Sequence, residues 1–147
     1  MEKELKLFQS VRVVEKVKDW QEAITVASQP LLDGGFIKAE YIDAMIDSVN
    51  KLGFYIVLTE GVAMPHARSE KGAINTGIAF MKLNTPVLFG TKETFIILPL
   101  SAKDSETHME YMIKIADFLD DPDRLAKLKE LKTEAEIEAF LEKEGYR

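Results

Sequence analysis

Tyr55-Ile-Val-Leu-Thr-Glu-Gly-Val-Ala-Met-Pro-His-Ala-Arg68 joins an apolar run to a proline turn that carries one of the chain's two histidines. Tyr55–Leu58 is too short for a buried helix and is made of residue types that fit a pleated surface, so it reads as a strand running straight into the turn. Pro65 fixes its own φ at about −65° and drives Met64 towards extended geometry, so the His66 ring is offered from a stiffened loop. A neutral imidazole nitrogen can act as nucleophile, metal ligand or proton carrier near neutral pH. On spacing alone, His66 reads equally well as an exposed turn histidine with no role.

Upstream, Val11-Arg-Val-Val14 is a short candidate strand. Asp19 followed by Glu22 makes a capping-box-like start for a helix to about Leu32, with a kink expected at Pro30 and an end at Gly34-Gly35. From Lys38 onward, Tyr41, Ile42, Met45, Ile46 and Val49 recur at helical spacing and predict a second amphipathic helix that stops near Gly53. Downstream, Asn75–Leu83 has strand composition with Gly77 inside it, and Thr94-Phe-Ile-Ile-Leu-Pro-Leu100 is apolar on both faces, as a strand covered on both sides should be. Asn84–Gly90, with Pro86 in its middle, reads as a turn or short edge strand. The last third is helical: Asp104 or Ser105 caps a helix to about Leu119, Asp121-Pro122 opens another, and Thr133 with Glu136 opens a third. This order, without repeats or linkers, predicts a single domain over residues 1–147: an α/β fold built as a three-layer α/β/α sandwich around a mixed, mostly buried central sheet.

Composition narrows the chemistry. With 46% hydrophobic residues in 147, the chain can bury a sizeable core. A net charge of −6 argues against a nucleic-acid partner, which would demand clustered cations. The absence of cysteine removes disulfides, thiolate metal sites and a cysteine nucleophile. No apolar stretch is long enough to insert in a bilayer. Met1-Glu-Lys-Glu-Leu-Lys6 carries both signs of charge with no apolar segment after it, so no secretory signal is expected and the protein is expected in the cytoplasm.

The second histidine, His108, lies four residues before Met112, seven before Ile115 and eleven before Leu119, on the predicted buried stripe and in the first turn of its helix. Free N–H groups and the positive end of the dipole favour an anion there. A hydrogen-bonded core histidine is the commoner explanation of such a residue. A catalytic zinc would need the two histidines plus a carboxylate such as Glu60 or Asp104, yet there is no H-E-x-x-H. G-x-S-x-G, Walker and G-x-G-x-x-G patterns are also missing, so neither a metal nor an organic cofactor is expected. What remains is a covalent carrier, in which one nitrogen of His66 takes a phosphoryl group and a neighbouring ring supports the phosphate oxygens.

Tyr55–Glu70, together with Thr107-His-Met-Glu-Tyr-Met-Ile-Lys-Ile-Ala-Asp-Phe-Leu119, resembles the IIA components of the bacterial sugar phosphotransferase system, mannitol/fructose class, and the likeness covers nearly the whole chain. Asp19–Ile24, Gln29–Leu32, Tyr41–Asp47 and Pro65-His-Ala-Arg68 resemble its ascorbate-type branch. The resemblance implies that His66, in the G-x-A-x-P-H motif, is phosphorylated on Nε2 by phospho-HPr and passes the group to a cysteine of a IIB component, while a membrane IIC component carries the sugar inward. His108 matches the family's second histidine and would support the phosphate. Mannitol-type members also carry an arginine near the end of the second helix, but Asp47-Ser-Val-Asn-Lys-Leu52 contains none. Arg68 is the nearest candidate cation, and it is equally consistent with an exposed arginine paired with Glu70. The missing arginine leaves open a regulatory IIA-like role that acts through protein contacts, resembling the nitrogen-related branch. Val62 and Met64 are the candidate exposed apolar residues of a partner surface, and they are equally consistent with inward packing.

Overall fold

Residues 7–147 are described by a computed structural model, and the charged Met1–Lys6 segment, expected not to be a signal, lies outside the described residues. The chain runs β1 (Phe8–Val14), α1 (Trp20–Asp33), α2 (Ala39–Leu52), β2 (Val57–Thr59), β3 (Gly61–Ala63), β4 (Gly77–Phe89), β5 (Lys92–Ile97), β6 (Leu100–Ser101), α3 (Ser105–Leu119), α4 (Pro122–Glu130) and α5 (Glu134–Glu144). One sheet has the order β1-β4-β5-β3-β2, with β6 also on β4. β1 is parallel to β4 and β3 to β5, and the other pairings are antiparallel. The sheet is mixed, as expected.

β4 organises the layers. Ile78 and Phe80 turn to one face and pack with Tyr111, Ile115 and Phe118 of α3, Leu128 of α4 and Leu141 of α5. Ala79, Met81 and Leu83 turn to the other face, against Ile24 and Leu31 of α1 and Met45 and Val49 of α2. Both faces are dry, so the architecture is the three-layer sandwich. Lys82 interrupts the apolar alternation and is nonetheless buried; its Nζ donates to the Asn84 Oδ1 at 2.8 Å and to the Leu131 carbonyl at 2.6 Å. Burial pushes the ammonium below the ordinary lysine range.

Helix ends follow their caps. Asp19 Oδ1 accepts the Glu22 N–H at 2.9 Å, Asp121 accepts from Asp123 and Arg124, and Thr133 with Glu136 completes a reciprocal box. Pro30 lies inside α1, where it cannot donate to the Val26 carbonyl; the guanidinium of Arg12 donates to that oxygen instead, at 3.1 Å. β1 meets α5 and Arg147: Arg147 Nη1 donates to the carbonyls of Phe8 and Gln9 at 3.0 and 3.2 Å, and Glu134 Oε1 accepts the Val13 N–H at 3.2 Å. Among the described residues no helix is long and apolar enough to cross a membrane.

Two local expectations are corrected. Asn84–Phe89 continues β4 rather than forming a separate turn or strand, and the register against β5 shifts between Lys82 and Val87, where Pro86 lacks a ladder donor. The run from Tyr55 is not one strand entering the turn. Tyr55 and Ile56 form a turn, β2 is a short edge strand, and the chain reverses at Glu60-Gly61 so that β3 is the strand that leads to His66. Gly61 permits the reversal, since its φ is +87° and a Cβ there would sit 2.2 Å from Phe95 Cε1.

Gly61→Ala is therefore expected to cost roughly 2–4 kcal/mol, from strained backbone and overpacking together. Urea unfolding should show a lowered midpoint with an unchanged slope. Phe95→Leu in the same background should recover only the steric part. An unchanged midpoint for Gly61→Ala would refute this account.

Candidate functional site

The sheet does not stop pairing where β3 ends. Met64 N–H donates to the Ile56 carbonyl at 2.8 Å, Leu98 N–H to the Ala63 carbonyl at 2.8 Å, and Leu100 N–H to the Pro65 carbonyl at 2.9 Å. The turn is thus held on both sides up to the residue before His66. Beyond it, the Ala67 N–H donates to the Tyr41 hydroxyl of α2 at 3.1 Å, and that hydroxyl lies 2.8 Å from the Leu100 carbonyl.

His66 itself is half-buried. Its Nδ1 lies 2.9 Å from the Met64 carbonyl. A carbonyl only accepts, so Nδ1 carries the proton of the neutral ring and Nε2 keeps its lone pair. The Tyr55 and His66 rings stand nearly perpendicular, with centroids 5.8 Å apart.

His108 is the fourth residue of α3 and is half-buried rather than enclosed. Its ring centroid is 6.5 Å from that of His66, with the planes at 52°. The gap is too wide for a direct bond between rings, and one tetrahedral group between them can touch both. Thr76 and Thr107 hydroxyls are 2.7 Å apart beneath this helix start, and Thr76 Oγ1 accepts the Lys103 N–H at 3.1 Å.

The start of α3, expected to favour an anion, is capped from within the chain. Asp104 Oδ1 accepts both the N–H and the hydroxyl of Thr107 at 2.8 Å, so a carboxylate of the chain is already there. The Thr107 N–H, then its hydroxyl, hold that carboxyl below the ordinary range.

Arg68 projects into solvent, with Nε 3.3 Å from Glu70 Oε1 and its side chain 81% exposed. It borders a cleft between α2 and the 67–71 loop, shared with Lys51 and Lys71, which neither imidazole lines. Lys51 is paired with Asp47 at 2.9 Å. Among the described residues no three His, Asp or Glu side chains gather in a way that could hold a metal ion.

Val62 and Met64 are buried, at 0% and 1% exposure, which overturns their expected surface role: both belong to the α3–α5 side of the core. Among the described residues the exposed large apolar side chains are instead Leu52, Tyr55, Leu58, Ile74, Leu88, Met109 and Ile113. Sequence reasoning also missed Tyr41, Tyr55, Thr76 and Thr107. Thr107 had a readable signal, since Asp104-x-x-Thr107 is a helix-cap spacing. The Tyr41 hydroxyl had none, because its partners lie 26 and 59 residues away.

Comparison with known proteins identifies the family and the fold. The chain is 37% identical over 130 residues to the mannitol-specific cryptic phosphotransferase enzyme IIA component of Escherichia coli (strain K12), covering 87% of this chain and 88% of that protein. It is 30% identical over 132 residues to the ascorbate-specific PTS system EIIA component of the same strain, covering 87% and 86%. The solution structure of the mannitol-specific cryptic phosphotransferase enzyme IIA from Escherichia coli matches with a TM-score of 0.86 at 33% identity, covering 93% of this chain and 96% of that one. The family described as phosphoenolpyruvate-dependent sugar phosphotransferase system, EIIA 2, matches residues 7–144, from the first described strand to the last residue of α5, and the chain belongs to that family.

Proposed function

We propose that this protein is a cytoplasmic phosphoryl carrier: it accepts a phosphoryl group from phospho-HPr on Nε2 of His66 and passes it to a cysteine of a IIB component, whose IIC partner moves the sugar. The observation that supports this reading is the bond from His66 Nδ1–H to the Met64 carbonyl, which leaves Nε2 as the free nucleophile. The Nε2 lone pair attacks phosphorus in line, the new N–P bond forms as the donor's N–P bond breaks, and the electron pair of that bond returns to the donor imidazole. In the second step the IIB thiolate attacks phosphorus, and His66 leaves as a neutral ring that still holds its Nδ1 proton. Nothing in the cycle requires the imidazole to turn over.

His108, with its ring 6.5 Å away, supports the phosphoryl oxygens by a ring N–H. Arg68 would take the place of the absent helix arginine only by leaving Glu70, an exchange that costs little because the pair is exposed. The exposed Tyr55, Ile74, Met109 and Ile113 suit an apolar partner contact of modest size, as a carrier that must release its partners requires.

The sugar is contacted by other components. Asp19–Ile24 and Pro65–Arg68 support an ascorbate system, whereas the 37% identity to a mannitol-specific component supports a mannitol-like one. The regulatory reading, with output through protein contacts alone, draws on the pairing of Lys51 and Arg68 with carboxylates. Transfer from the labelled protein to a panel of IIB proteins separates all three.

Incubated with phosphoenolpyruvate, enzyme I and HPr, the wild type should acquire an acid-labile label and His66→Ala none; labelling of His66→Ala at the wild-type level would reject the assignment. His108→Ala should still label at His66 but about 10- to 100-fold more slowly, the cost of one lost donor to a developing charge. An unchanged rate would return His108 to a packing role.

A further inference from the structure

We infer that Tyr41 is a positioning residue for the His66 imidazole, its hydroxyl closing a ring of hydrogen bonds around the two peptide groups that flank that histidine. The inference rests on the reading of His66 as the phosphoryl site. Leu100 donates its N–H to the Pro65 carbonyl at 2.9 Å, the Tyr41 hydroxyl donates to the Leu100 carbonyl at 2.8 Å, and the Ala67 N–H donates to the Tyr41 oxygen at 3.1 Å. The peptide before His66 is held by its carbonyl and the peptide after it by its N–H. The hydroxyl has one proton and two carbonyls in reach, Leu100 at 2.8 Å and Ala67 at 3.1 Å, and the nearer Leu100 oxygen takes it while the Ala67 N–H uses one acceptor site.

Without this hydroxyl the histidine is secured from one side only. Sheet-like pairing reaches Met64 and Pro65, and the next main-chain donor along this edge, the Ala67 N–H, goes to the Tyr41 hydroxyl. Past Ala67 the loop is closed by its own short turn, from Lys71 N–H to the Arg68 carbonyl at 3.0 Å. Tyr41 is thus the link from the far side of His66 to the sheet. The His66 ring bonds to Met64, a residue on the near side, so its orientation follows the backbone torsions that the two flanking peptides share.

The helix that carries Tyr41 is itself fixed to this loop. Lys38 N–H donates to the Gly72 carbonyl at 2.9 Å, and a Cβ on Gly72 would lie 3.2 Å from Tyr41 Cβ. Tyr41 is 1% exposed, which keeps it from touching a partner protein. Burial holds its phenol above the ordinary tyrosine range, so the donor persists at physiological pH.

The test is Tyr41→Phe, which keeps the apolar packing and removes both bonds. Single-turnover phosphorylation by phospho-HPr should slow by about 10- to 100-fold, the scale of a misplaced reacting group. The KM for phospho-HPr should stay within about twofold, as expected of a group that touches no partner. In ¹⁵N NMR the wild-type His66 ring should show a single Nδ1–H tautomer, and Tyr41→Phe a mixture or exchange broadening. Met45→Ala, in the same helix and buried layer, should lose as much stability or more while transferring at the wild-type rate.

Wild-type rate and unchanged His66 shifts in Tyr41→Phe would overturn the inference, as would an equal rate loss in Met45→Ala. If Tyr41→Phe does not fold, an L-lactate ester in place of Ala67 removes the N–H alone and should show the same slowing and the same tautomer mixture; wild-type behaviour there would equally overturn it. The NMR readout needs no donor. A wild type that never labels on His66 would end the functional reading, and the ring shifts would still decide the role of Tyr41.

Discussion

The structure depends on main-chain pairing that outlasts the strand. β3 is only Gly61–Ala63, yet Leu98 and Leu100 donate to Ala63 and Pro65, and Met64 donates to Ile56, so the turn is an extension of the sheet. Each bond contributes only about 1 kcal/mol net, but a buried carbonyl or N–H left without one costs more. The prolines fit this pattern. Pro65 is used through its carbonyl, and Pro99 offers its own carbonyl to Ala79 of β4 at 3.2 Å while the residues on either side of it donate to the histidine turn. A backbone fixed in this way orients the Met64 oxygen, and that oxygen selects the tautomer of His66.

The α1–α2 layer and the α3–α5 layer then meet at the site from opposite faces of the sheet. α2 supplies a hydroxyl from below the turn, and α3 supplies a second imidazole beside it. Since both layers are packed on the same β4 residues, with Ile78 and Phe80 on one side and Ala79 and Met81 on the other, the relative placement of Tyr41, His66 and His108 is a property of the core. The anion at the α3 start is supplied by Asp104.

Much of this was legible in the sequence because its causes are local. Asp19, Asp121 and Thr133 begin helices through contacts two or three residues away, and the spacing of Tyr41, Met45 and Val49 fixes which face of α2 is buried. The position of His108 ahead of Ile115 and Leu119 foretold a side chain turned from open solvent, and the fold brings it beside His66. What failed had distant causes. The need for glycine at the reversal is sharpened by Phe95, a residue on another strand, so a window around Tyr55 contains the glycine but not the close approach that demands it. Pro86 argued for a break because the sequence hides the register shift that accommodates it. Val62 and Met64 looked available for partners only while β3 was unrecognised as a strand buried under α3.

The meeting of β1 with α5 and Arg147 bears on how the molecule is made. β1 is the first described strand, yet its Val13 N–H is bonded by Glu134, and the carbonyls of Phe8 and Gln9 by Arg147. A chain emerging from the ribosome would present that strand with its outer edge bare until α5 arrives. The strands can all pair once Ser101 has been made, but the outer edge of β1 gains its cover only with α5 and the residues after it.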